Sequence, residues 1–177
     1  MTRPPVAIFP LASRSNDVRV IAASLLETPR HFDGDELKRR GWVVVPFADA
    51  FTEEQAASLA AAAARRGVRS AVALTTEPEV NEEQFEVPMT PDGIMAFDRN
   101  CLLRYFLLVP HDVSFAVLHE ANYYWLLAAP PDFLEQVVGT TPLDAFESFI
   151  HSYVDSPDWP EETTRMLAEI ERYRVLL

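Results

Sequence analysis

Hydrophobic positions are densest between Cys101 and Ala129, where they fall into three runs, Cys101–Val109, Val113–Leu118 and Asn122–Ala129. Two polar triplets, Pro110-His111-Asp112 and His119-Glu120-Ala121, break them apart. Runs of this length, rich in Leu, Val, Phe and Tyr and bounded by turn residues, predict three strands of an antiparallel meander. The first run is apolar on both faces apart from Arg104, which places it centrally in a sheet with helices over it.

The N-terminal half alternates between periods. Val6–Pro10 predicts an edge strand, because its prolines cannot donate ladder hydrogen bonds. Val18, Ile21, Ala22 and Leu25 recur at helical spacing across Asp17–Glu27, residues 28–34 read as loop, and Asp35–Arg40 makes a short helix stopped by Gly41. Trp42–Phe47, with three consecutive valines, predicts a strand buried on both faces. Thr52-Glu53-Glu54-Gln55 is a capping box that opens an alanine-rich helix ending at Arg66 before Gly67, and Val68–Thr75 is the next strand. Strand, helix and strand in this order predict a βαβ crossover with parallel strands.

Residues 76–100 carry little pattern until Thr90-Pro91-Asp92, a cap followed by proline, opens a short helix to about Phe97. Beyond the meander, Pro131–Val138 predicts a helix ended by Gly139. Thr141-Pro142 opens another with Leu143, Phe146, Phe149, Ile150 and Tyr153 on one face. A last helix, starting between Ser156 and Pro160, buries Met166, Leu167, Ile170 and Tyr173. The expected fold is α+β: a βαβ unit joined to a three-stranded antiparallel meander in one mixed sheet, with helices packed on it, in a single domain spanning 1–177.

Charge changes this picture from architecture to partners. Residues 1–70 hold ten Lys/Arg against eight Asp/Glu, a net of +2, whereas residues 71–177 hold five Arg against nineteen Asp/Glu, a net of −14. Such acidity repels phosphates, so nucleic acids and anionic membranes are poor partners, and a basic protein is steered toward the C-terminal part. There is no run of ~18 apolar residues to span a membrane. The N-terminal Met-Thr-Arg-Pro-Pro lacks the apolar core of a signal peptide, so a bacterial cytoplasmic location is expected.

Candidate chemistry is sparse. The single cysteine, Cys101, excludes an intrachain disulfide and reads as a core thiol in the central strand. Five glycines form neither a dinucleotide fingerprint nor a phosphate loop, no Gly-x-Ser-x-Gly elbow is present, and no cofactor is expected. His111 and His119 fall in turns at opposite ends of one strand, more than ~20 Å apart and too far to share a metal ion. His151, between Glu147 and Asp155, reads as part of a solvated charge column.

Two features could meet a partner. One is the acidic stretch of Glu77, Glu79, Glu82, Glu83 and Glu86 with Phe85 among them. The other is Tyr123-Tyr124-Trp125, which turns Tyr123 and Trp125 to one face: core beneath helix 131–138, or an exposed aromatic surface if this strand is the last of the meander. The expectation is a non-catalytic acidic module for a basic protein, by analogy with inhibitor and immunity proteins that neutralise basic toxins. The alternative is a small-molecule sensor or metal-independent enzyme with a pocket near His111, His119 and Glu120. A third reading is a homo-oligomer paired through the aromatic strand.

Overall fold

A computed structural model of the chain describes residues 9–10, 16–48, 50–76, 84–101, 104–120, 124–154 and 160–177. The elements in order are β1 (Phe9–Pro10), α1 (Asn16–Leu25), β2 (Leu26–Thr28), β3 (His31–Phe32), α2 (Gly34–Arg40), β4 (Val43–Ala48), α3 (Glu53–Arg65), β5 (Ser70–Thr75) and β6 (Gln84–Pro88). They continue with α4 (Pro91–Cys101), β7 (Phe106–Pro110), β8 (Ala116–Glu120), β9 (Tyr124–Ala129), α5 (Pro131–Val138), α6 (Pro142–Val154) and α7 (Pro160–Glu171), closed by a 3₁₀ turn at Arg174–Leu176. The fold is α+β, as the sequence predicts.

Seven strands form one sheet in the order β1-β6-β5-β7-β8-β9-β4, and β2 and β3 pair separately. The three meander strands are neighbours, with β7 in the middle of the sheet and buried along its length. Every neighbouring pair is antiparallel. The expected βαβ unit is therefore corrected. β4, α3 and β5 follow one another and the two strands point the same way, but β7, β8 and β9 lie between them. The meander fills the gap because β4 pairs with β9 over its whole length, Val43 opposite Ala129 through Ala48 opposite Tyr124.

Side chains alternate across the sheet into two cores. On one face α3, α4 and α5 pack over Val45, Phe47, Ala73, Phe106, Val117 and Trp125. On the other, α2, α6 and α7 pack over Val44, Val72, Leu107, Leu118 and Leu126. The alanines of α3 have their use here: Ala56, Ala60, Ala62 and Ala63 are buried, so the helix can lie close to its neighbours. Helix ends follow local chemistry. The capping box forms, Gln55 donating its backbone N–H to Thr52 Oγ1 at 3.1 Å and accepting from Thr52 N–H at 2.9 Å. Gly41, Gly67 and Gly139 take the left-handed conformation (φ 65°, 78° and 74°) that lets a chain leave a helix without a Cβ penalty.

Three boundaries differ from expectation. Cys101 ends α4 and does not enter a strand, because the helix opened by Pro91 runs past Phe97. β6 forms inside the stretch 76–100 that carries little pattern, where Gln84-Phe85-Glu86-Val87 alternates polar and apolar with period two. Residues 26–32 form the small β2–β3 hairpin in place of the end of the expected helix Asp17–Glu27 and the loop after it. At one end of the sheet, α6 packs closely against β4 so that only Ala48 of that strand is exposed, which protects this edge from pairing with another chain.

Candidate functional site

The site is a groove between the start of α3 and α6, with a volume of about 650 Å³. Its floor is Val45–Ala48 of β4 together with Val137 and Val138 at the end of α5. One wall is Thr52, Glu54, Gln55 and Ser58 of α3, and the other includes Asp144, Ala145, Ser148 and Ser152 of α6. Among the described residues, Glu54 and Asp144 are the ionisable members of the lining, and no Lys, Arg or His joins them. The arrangement is an apolar strip with a rim of hydroxyls and amides and one carboxylate on each wall, which favours an occupant carrying positive charge.

Local structure fixes both walls. The capping box sets the first turn of α3. At the head of α6 the Thr141 hydroxyl donates to Asp144 Oδ2 at 2.7 Å and accepts from the Asp144 backbone N–H at 3.1 Å. Pro142 follows at the first helical position, where its missing N–H costs nothing. Behind the groove, the ring of Phe51 packs between Phe47 (5.8 Å) and Trp125 (4.9 Å). The Phe51 backbone N–H donates to Asp98 Oδ1 at 3.4 Å, a long bond. Phe51 precedes the α3 cap directly, so Asp98 helps to hold that wall from inside the core.

Asp98 belongs to a buried polar row. Thr75, Phe106, His119, Trp125 and Phe47 are successive cross-strand partners beneath α4 and Phe51. The His119 ring lies 4.1 Å from that of Trp125, and its Nδ1 donates to the Arg104 carbonyl at 2.6 Å. A carbonyl can only accept, which places the proton on Nδ1. Burial lowers the His119 pKa, against the pull of that hydrogen bond. Burial likewise raises the Asp98 carboxyl above its ordinary value, opposed by Phe51 N–H, Arg99 and the Trp125 indole. The indole N–H is aimed at that carboxyl without completing a hydrogen bond, and Thr75 Oγ1 also lacks a partner among the described residues. His119 is 1% exposed and Asp98 4%, so both are sealed from solvent.

The expected site residues are dispersed. Glu77, Glu79, Glu82, Glu83 and Tyr123 lie outside the described residues. Phe85 and Glu86 are half-buried on β6, near the sheet edge opposite β4, and the Phe85 ring faces Phe106 at 6.2 Å. Trp125 is corrected: it is wholly buried, because β4 adds a strand beyond β9 and α4 covers the face it occupies, with Phe97 at 5.5 Å. An exposed aromatic surface through Trp125 is thereby removed. Of the residues expected to line a pocket, His111 is not brought together with His119 and Glu120. His111 is exposed at the β7–β8 turn, while His119 and Glu120 lie within β8 at the other end of that hairpin. Among the described residues no cluster of His, Cys, Asp and Glu is placed to hold a metal ion, and no helix is long and apolar enough to cross a membrane.

Sequence reasoning did not single out Glu54, which it places only inside the capping box, or Asp144, which sits in the opening turn of the helix begun by Thr141-Pro142. One signal was available: proline inside the run Trp42–Phe47 marks an edge strand, beside which a groove can open. No protein-family model, curated protein or solved structure matches the chain.

Proposed function

We propose that the protein is a non-catalytic binding module whose acidic surface engages a basic protein partner. The observation that carries this reading is the groove between α3 and α6, whose ionisable lining is acidic only. A net charge of −12 supports it by steering basic proteins from a distance and disfavouring nucleic acid. The burial of Asp98, His119 and Tyr173 supports it further, since these described ionisable side chains, which burial shifts toward neutrality, are sealed from solvent.

The test is affinity capture from host lysate at low and high salt. A basic protein retained at low salt and released at high salt is expected, because exposed charge pairs are screened within about 10 Å at 0.1 M ionic strength. If nothing is retained in a salt-sensitive way, the charge serves solubility and the reading fails.

A further inference from the structure

We infer that the α3–α6 groove itself receives a short basic segment of that partner, with its cations set between Glu54 and Asp144. This rests on the reading of the protein as a module for a basic partner, and it deepens that reading by naming the surface and the occupant.

Three properties point to this occupant. The first is charge: facing walls each present a carboxylate, and among the described residues no cation of the lining neutralises them. Glu54 is exposed on α3 and Asp144 exposed on α6, so both reach an incoming ligand without prior unfolding. The second is anatomy. Thr52, Gln55, Ser58 and Ser148 border the groove with hydroxyls and an amide, the polar border of a protein interface, over a floor whose Val45, Phe47 and Val137 belong to the protein's own core. The third is size. At about 650 Å³ the groove exceeds what a single side chain fills. Dividing by a strand cross-section of about 4.8 Å by 10 Å leaves a length of about 14 Å, or roughly four extended residues at ~3.4 Å each.

A second copy of the chain is the poorer occupant. Two molecules of charge −12 would bring these same carboxylates together, and the adjoining strand β4 is shielded by α6 along most of its length. Among the described residues, a second cleft offers less. The 460 Å³ cleft around Glu27, Asp33, Lys38 and Arg172 mixes both signs of charge, and Arg172 there already pairs with Glu27.

The probe is the peptide acetyl-Lys-Val-Lys-Val-Lys-amide, titrated into isotopically labelled full-length protein and followed in amide nitrogen–proton spectra. Its acidic counterpart, with Glu in place of Lys, is the control. Expected shifts concentrate at residues 52–58 and 136–148 with the basic peptide alone. The double variant Glu54→Gln/Asp144→Asn, whose substitutions are exposed, should bind about tenfold more weakly, as two surface ion pairs at up to ~1 kcal/mol each allow. Shifts confined to other residues, with the double variant unaffected, overturn the groove as the docking site and leave the wider reading standing. No shift in the groove at about millimolar peptide, or equal binding of the acidic peptide by the wild-type chain, also overturns it. Spermine binding as tightly as the peptide would assign the groove to a small polycation and overturn the inference too.

Discussion

Replacing Asp98 by asparagine should make the fold progressively more stable, relative to the wild type, as the pH rises from acid to neutral. The carboxyl is 4% exposed, and its pKa is raised from 3.8 chiefly by burial. In the unfolded chain it loses its proton near 3.8, while the folded chain keeps it to higher pH. Over that interval the unfolded state binds fewer protons, so the contribution of Asp98 to stability is full below 3.8 and is lost as pH rises through the folded value. Each unit of difference costs about 1.4 kcal/mol. Asparagine does not titrate, and its Oδ1 can still accept from Phe51 N–H. Asp98→Ala cannot, and leaves a buried N–H unpaired at about 1–3 kcal/mol, so it should be the less stable variant at every pH. Urea unfolding followed by tryptophan fluorescence, near pH 3.8 and at neutrality, measures both variants against wild type. An Asn-minus-wild-type difference that is flat, or that shrinks toward neutrality, would refute the assignment of Asp98 as a buried carboxyl that resists ionisation.

Other expectations follow from the same packing. His119 is held neutral by burial, so its contribution is whole above about 6.5 and is lost as pH falls through its lowered folded value. His119→Gln should flatten the fall in melting temperature from neutral to mildly acidic pH, and parallel slopes would show that His119 does not titrate this way. The buried Tyr173 hydroxyl accepts from Phe32 N–H at 2.9 Å, and Tyr173→Phe should cost about 1–3 kcal/mol by denaturant titration. Burial pushes the same phenol up to about 12, so one tyrosine should resist ionisation at pH 10 in an ultraviolet titration; a full complement of ordinary tyrosines would contradict this. At Gly93 a Cβ would lie 2.1 Å from the Pro88 carbonyl oxygen, which is backbone and cannot swing away. Gly93→Ala should therefore destabilise by about 1–3 kcal/mol, visible as a lowered melting temperature, and an unchanged melt would mean that α4 shifts freely.

What could be read from the sequence was whatever depends on near neighbours. The Thr52–Gln55 capping box and the Gly41, Gly67 and Gly139 stops fix helix ends through contacts within a turn, and each lies where its sequence places it. The meander was legible because short turns join its strands. The position of β4 was not: its partner β9 begins 76 positions later in the chain, from Val43 at one end and its partner Ala129 at the other being 86 apart, and no local pattern encodes that pairing. The same long-range contact decided the fate of Trp125, because a strand beyond β9 and a helix above it turned an apparent edge into core. β6 was a different failure, since its alternation was present and was outweighed by the surrounding glutamates. The groove was hidden for a third reason: Glu54 and Asp144 are 90 positions apart and converge only once β4, α5 and α6 have packed.

The proposed role turns on negative charge, and not a reactive group, as what the fold offers a basic partner. The most direct measurement is the association rate of the captured basic partner with the wild-type chain across a range of ionic strength. The account predicts an association rate that falls steeply with salt while the dissociation rate changes little. An association rate indifferent to salt would contradict it.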